Sequence, residues 1–320
     1  TDAALTGIDA GGGDDIVDNT GTLTVGEVVS PPGGCLDISI ACSRAASVAI
    51  DLVSLVSARL GATATLTGIA GGEGSDTITN TGTLTVGDSE EWMVIGETDS
   101  FAGAIAGFLE TSEAYGLASV DATGMQGGAG DDGIFNEATL QVNSRSYADA
   151  YAETDVPVIG FLLALALSNA NSDATATGIA GGEGEDTLGN SGDLRVDAQA
   201  QARARSVGSV GLLERVVAEA TATASAVAIG IDTGGGSNTA TNTGTMAVEA
   251  FSETRTTTTA STGAGGEAFS DDNNALLDAT ATGIRGQAGN DTLDNGGGMT
   301  VTARTGERGV YSLDVFSEDH

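Results

Sequence analysis

Lysine does not occur in this 320-residue chain, histidine occurs once, cysteine twice and proline three times. Each shortage removes a class of function. All 11 basic residues are arginine and face 45 acidic ones, giving a net charge of −34, so the surface repels nucleic acid and anionic membranes and draws in cations. No glycine-rich loop ends in Gly-Lys, and the only imidazole is that of the terminal His320, so neither phosphate cradling nor histidine acid–base chemistry has a carrier. Cys35 and Cys42, in PPGGCLDISIAC, lack the partner ligands of a zinc or haem signature. They close a small local disulfide or stand as two thiols. Aromatic residues make up 4% of the chain, too few to fill a thick core. The longest apolar run, VPVIGFLLALAL from 156 to 167, is too short to cross a bilayer, and no membrane span is expected.

What the chain has in quantity is glycine, 49 residues of it, and repetition. A 19-residue stretch, GIAGGEGEDTLGNSGDLRV at Gly178 to Val196, recurs as GIDAGGGDDIVDNTGTLTV from Gly7, GIAGGEGSDTITNTGTLTV from Gly68, GMQGGAGDDGIFNEATLQV from Gly124, GIDTGGGSNTATNTGTMAV from Gly230 and GIRGQAGNDTLDNGGGMTV from Gly283. The leading glycines are 61, 56, 54, 52 and 53 residues apart. A unit of that size buries its apolar face only by stacking on the next. No linker divides the repeats, so residues 1–320 read as a single array with units starting near residues 4, 65, 121, 175, 227 and 280. The fold expected is all-β, a parallel β-solenoid of six long coils. The chain opens inside a repeat without methionine, as a processed or excised segment does, and its last coil is incomplete.

Between the recurring stretches run variable arms of about 35 residues. Alternation in LRVDAQAQARARS puts Leu194, Val196, Ala198, Ala200, Ala202 and Ala204 on one face, the pattern of a half-buried strand with closely approaching sheets. The return limbs, such as EATATASAVAIGI at 219–231, alternate too, without deciding whether alanine or threonine points inward. The apolar apices, Leu52 to Val56, Phe101 to Leu109, Val156 to Leu167 and Val207 to Val217, read as short helical segments. The fifth arm, TRTTTTASTGAGGEAFSDDNN at 254–274, reads as a polar loop.

Stacked coils place equivalent residues about 4.8 Å apart. One such column is Asp15, Asp76, Asp132, Asp186, Asn238 and Asp291, flanked by Asp14, Ser75, Asp131, Glu185, Ser237 and Asn290. Like charges at that spacing repel by about 1 kcal/mol per pair in water and several times more near a protein surface. A bound cation removes the repulsion, and carboxylates beside glycine carbonyls form a hard-oxygen set that suits calcium better than zinc or copper. The candidate metal ligands are therefore Asp14, Asp15, Asp76, Asp131, Asp132, Glu185, Asp186, Asn290 and Asp291. A second column, Asn19, Asn80, Asn136, Asn190, Asn242 and Asn295, occurs in all six copies and reads as a structural amide ladder.

The strings GGEGSDTI, GGEGEDTL and GQAGNDTL resemble the calcium-binding nonapeptide of the repeats-in-toxin family. That resemblance implies a parallel β-roll of secreted bacterial proteins, with calcium held between turns by loop carbonyls and by Asp15, Asp76, Asp132, Asp186 and Asp291. The chain departs from the pattern at Asn238, and by spacing its nonapeptides singly where the family runs them in tandem. The following NTGTLTV more loosely resembles the coils of secreted β-helical passenger domains, which implies the cell surface. The expected function is an extracellular, calcium-stabilised structural or adhesive protein that associates with copies of itself end to end, as a filament or surface-layer subunit, and is not an enzyme. The alternatives are a secreted β-helix that binds or cleaves carbohydrate, for which Trp92, Tyr115, Tyr147, Tyr151 and Tyr311 are scattered, and an ice- or mineral-binding face built on threonines such as Thr22 and Thr83. A surface polysaccharide is the other partner this allows.

Overall fold

Glycines and short polar turns cut the recurring stretch into four-residue strands, while uninterrupted alternation of small residues carries the arms as strands of up to 21 residues. The computed structural model describes residues 2–26, 41–50, 53–87, 94–103, 109–156, 163–210, 215–262 and 267–315. Among them there is no helix. Three parallel sheets result, each strand pairing with its equivalent one coil away, which makes the fold a parallel β-solenoid.

The first sheet stacks β1 (Asp2–Asp9), β5 (Val53–Glu73), β9 (Leu109–Ala129), β12 (Leu163–Glu183), β15 (Arg215–Asp232) and β18 (Glu267–Arg285). The second stacks the short strands β2 (Ile16–Asn19), β6 (Thr77–Asn80), β10 (Gly133–Asn136), β13 (Thr187–Asn190), β16 (Thr239–Asn242) and β19 (Thr292–Asn295). The third stacks β3 (Thr22–Val25), β7 (Thr83–Val86), β11 (Thr139–Val156), β14 (Asp193–Val210), β17 (Thr245–Thr262) and β20 (Gly298–Val315), with β4 (Ala41–Ile50) on β8 (Val94–Gly103) and β8 on β11.

The base of each coil is a triangle closed by one apolar side chain from each sheet. In the second coil these are Ile69, Ile78 and Leu84, and in the fourth Ile179, Leu188 and Leu194, all buried. The fifth coil uses Ile231, Ala240 and Met246; the flexible methionine takes space that the alanine leaves. Beyond the base, only the first and third sheets continue, face to face. Alanines fill the space between them: Ala198, Ala200, Ala202 and Ala204 of β14, and Ala220, Ala222, Ala224 and Ala226 of β15, are at most 2% exposed. The return limbs therefore turn alanine inward and threonine outward, because only the smaller side chain fits between sheets this close. Hydroxyls that do point inward bridge the sheets, Ser146 to Ser172 at 2.7 Å and Ser168 to Ser206 at 2.8 Å.

Two expectations need correction. The described residues of the apolar apices are strand, including Val53–Val56, Phe101–Gly103 and Leu163–Leu167; the rest of those segments lies outside the described residues. Alternation runs through them, and paired neighbours on both sides favour strand over a helical turn. The fifth arm is no loop up to Thr262, since β17 pairs with β14 without a break from Thr245 to Thr262 and buries Thr254, Thr256 and Thr258. Threonine is polar in composition but β-branched, and here it takes the inward positions that Ala202, Ala204 and Ser206 hold in β14.

Changes in repeat length are absorbed locally. The step from 52 to 53 residues falls at an irregularity in β18, where Ala218 pairs with Ser270 but Ala220 with Asn273. The longer first and second units gain residues at one corner, where Thr22 to Ala41 and Thr83 to Val94 correspond to Thr139 to Ser146, and are shorter at the apex, where Ile50 to Val53 and Gly103 to Leu109 correspond to Asp155 to Leu163. Cys35 lies outside the described residues, and of Cys42 only the backbone, in β4, is described.

Candidate functional site

The glycine-aspartate turn joins the first sheet to the second. Its glycines Gly182 and Gly184 have φ of 117° and 136°, and a Cβ on either would collide with a carbonyl oxygen of the coil before, Gly128 or Gly130. Positive φ and backbone approach both exclude other residues. The turn delivers the aspartate column to the inside of the corner, where Asp76, Asp132 and Asp186 are at most 2% exposed.

From the second coil on, each column side chain spends one oxygen on the backbone of the coil before. The N–H of Asp15 donates to Asp76 Oδ1 at 2.8 Å, that of Asp76 to Asp132 at 2.8 Å, that of Asp132 to Asp186 at 2.9 Å, that of Asp186 to Asn238 at 2.7 Å and that of Asn238 to Asp291 at 3.0 Å. The other oxygen, Oδ2, is buried without a partner in Asp15, Asp76, Asp132 and Asp186. It lies over a glycine: a Cβ on Gly71 would meet Asp76 Oδ2 at 2.5 Å and Gly127 O at 2.6 Å, and one on Gly181 would meet Asp186 Oδ2 at 2.5 Å and the carbonyl oxygen of Thr233. Asn238 resolves the problem differently, since its Nδ2 donates to Gly235 O at 3.2 Å.

Unpaired oxygens in a buried column raise the cost of charge. Burial, with the nearby Asp186, Asp76 and Asp131 charges, pushes the Asp132 carboxyl up to about 6, although the Asp76 N–H bond works against it. Burial and the Asp131 charge likewise raise Asp186 against the bond from Asp132. The flanking candidates are more exposed and act on alternate interfaces only: Asp14 Oδ1 accepts the Ser75 N–H at 2.9 Å, Asp131 Oδ1 accepts the Glu185 N–H at 2.8 Å, and Ser237 Oγ accepts the Asn290 N–H at 3.3 Å. Asp291, in the last coil, is half-buried.

As a calcium site, this set is partial. The orphaned Oδ2 atoms beside glycine carbonyls have the hard-oxygen chemistry that calcium takes, but among the described residues no three or more carboxylate, His or Cys groups gather around one point. Backbone carbonyls have to supply most of any coordination. The asparagine column forms a continuous ladder, Nδ2 to Oδ1, at 2.8 Å from Asn19 to Asn80 and from Asn80 to Asn136, 2.7 Å from Asn136 to Asn190 and from Asn190 to Asn242, and 2.6 Å from Asn242 to Asn295. All six amides point the same way along the axis. The residue pattern names those positions but not that common direction, which follows from the parallel coils.

The aromatic side chains do not share one groove. Tyr147 and Tyr151 stand on the outer face of β11, with Arg205 4.1 Å from the Tyr151 ring centre, whereas Tyr115 stands on β9 in the opposite sheet. Trp92 lies outside the described residues. Tyr115 does line an open depression of about 390 Å³ with Arg59, Leu117, Asn169 and Asn171, and Arg59 sits 4.4 Å from its ring centre. That depression was not legible in the sequence, because its residues come from three coils. The threonine row Thr22–Thr83–Thr139 is interrupted by Asp193, and its neighbour Thr24–Thr85 by Gln141, Arg195 and Ala247. Among the described residues no helix is long and apolar enough to cross a membrane. No protein-family model, no curated protein and no solved structure matches the chain.

Proposed function

We propose that the protein is an extracellular structural rod of the cell surface, stiffened by cations that neutralise its aspartate column and able to associate end to end with copies of itself. The observation that carries this reading is the unpartnered, buried Oδ2 in four successive coils. A carboxylate oxygen without a donor is costly inside a protein, and a divalent cation is the partner that an excess of acid over base favours. Calcium is the ion of choice because every available donor is oxygen, and calcium at the concentrations that weak, carbonyl-dominated sites need is found outside cells. Asp76, Asp132 and Asp186 with the carbonyls of the glycine turn would hold it, and the ion supplies charge neutralisation, no reaction.

The natural control is Asn238. Asp186→Asn copies it one coil earlier, so in chelator-treated protein the substitution raises the melting temperature, and the gain from adding calcium shrinks by that coil's share. Unchanged melting with and without calcium in the unaltered chain, together with metal analysis finding no bound ion, sinks the cation reading. A second reading, capture of a neutral surface polysaccharide, has the depression around Tyr115 in its favour; binding to a glycan panel that Tyr115→Ala abolishes supports it.

A further inference from the structure

We infer that two copies pair side by side through the outer face of the third sheet, with their long axes antiparallel. The inference adds a lateral contact to the rod reading, and it rests neither on calcium nor on the ends of the array. It starts from one column of that face. Strand register stacks Glu97 of β8, Asp149 of β11, Arg203 of β14 and Arg255 of β17, so the second and third coils carry acid where the fourth and fifth carry base. Glu97, Asp149 and Arg203 are partly exposed and Arg255 is exposed. A column whose charge is divided in this way is complementary to itself turned end for end. Around a twofold axis parallel to the strands, between the third and fourth coils, Asp149 meets the partner's Arg203 and Glu97 meets the partner's Arg255, each pair being made twice.

The neighbouring columns agree. The same operation sets Arg145 on Gln199, Tyr147 on Gln201, Tyr151 on Arg205, Glu153 on Val207, Asp155 on Ser209, Asp99 on Thr257 and Ile95 on Glu253. Among the described residues of these four coils, no two like charges face each other. Arg205 already lies 4.1 Å from the Tyr151 ring centre within one chain, and the pairing repeats that cation–π chemistry across the joint. Copies lying parallel would instead put every member of the charged column on itself. In the first and sixth coils the same register positions hold Arg44 and Arg308, so the attraction is confined to the four central coils. Their face from Arg145 outward covers about 700 Å² per copy in projection, close to the ~800 Å² that each partner gives to a stable complex. The net charge of −34 on each copy opposes the encounter. At about 0.15 M salt, however, the Debye length is about 8 Å, which screens the distant charges and leaves the facing pairs attractive.

The test reverses one charge at a time. Glu97→Arg and Arg255→Glu fall in the second and fifth coils, and each puts its new charge beside an opposite one, Asp149 or Arg203, so folding tolerates both. In sedimentation at about 0.15 M salt the unaltered chain forms dimers as its concentration rises. Either variant alone stays monomeric, because like charges then face each other twice. An equimolar mixture of the two dimerises, since the altered position 97 of one copy meets the altered position 255 of the other. A chain carrying both changes dimerises with itself. Positions 97 and 255 are too far apart in one chain to touch, so neither rescue arises inside a single copy. An unaltered chain that stays monomeric, variants that dimerise as it does, or a mixture that stays monomeric overturns the inference. A longer series of oligomers that ignores both reversals is association through the ends; it overturns the lateral pairing and leaves the rod reading in place.

Discussion

Asn190→Ala tests whether the amide ladder holds the coils in register. Asn190 accepts from Asn136 Nδ2 at 2.7 Å and donates to Asn242 Oδ1 at 2.7 Å and Thr245 O at 3.1 Å. Alanine removes both ladder bonds, worth about 1 kcal/mol each net, and leaves Asn242 Oδ1 buried without a donor for about 1–2 kcal/mol more. Asn136 Nδ2 keeps Ala138 O at 3.1 Å, so it adds little. The total is about 3–4 kcal/mol, located at the fourth and fifth coils. Asn19→Ala is the internal comparison, because that residue makes one ladder bond, to Asn80; its loss is about 1–2 kcal/mol. Hydrogen exchange read strand by strand suits a repeat array better than a single denaturation midpoint, since neighbouring coils need not unfold together. Protection should fall most in β13 and β16 for Asn190→Ala and only in β2 and β6 for Asn19→Ala. Equal losses for the two variants, or a loss spread evenly over all coils, refutes the ladder as the source of register.

Three further outcomes are expected. The Asp132 carboxyl is raised to about 6 in the folded chain against 3.8 for a free aspartate, so its contribution to stability is complete below about pH 4 and is lost as pH rises through about 6; melting of the chelator-treated protein should therefore rise between about pH 7 and about pH 5, and added calcium should flatten that rise. Thr254 Oγ1 is buried without a partner, so Thr254→Val stabilises by about 1 kcal/mol in thermal melts, whereas a solvent-exposed loop there would give no change. Gly181→Ala brings a methyl against Asp186 Oδ2 and costs about 1–3 kcal/mol by the same assay.

Much of the architecture was readable from the residues because a solenoid repeats its reasons along with its strands. The inward row of β14 from Leu194 to Ala204 is the one that alternation names, since every second position is small and apolar. Where composition was uniform, the pattern lost its sign: in ATATASA both alternatives are small, and only the close approach of the facing sheet selects alanine. The threonines of β17 misled for a related reason, since polarity reads as exposure when no partner sheet is in view. At the candidate site, the spacing of Asp76, Asp132 and Asp186 marked a column, but not that one oxygen of each is spent on the next backbone. That division depends on the depth to which the glycine turn carries the side chain.

The corner between the short strand and the arm of the third sheet has a consequence for engineering. In the first two coils this corner holds additional residues, yet β3 and β7 before it and β4 and β8 after it pair in the same frame as the uninterrupted β11. Sequence added there shifts no partner in the strands on either side. The matching position in the fourth coil, between Val196 and Ala200, is thus a graft point at which a foreign peptide can be displayed at a chosen height on the rod, leaving the ladders on either side as they are.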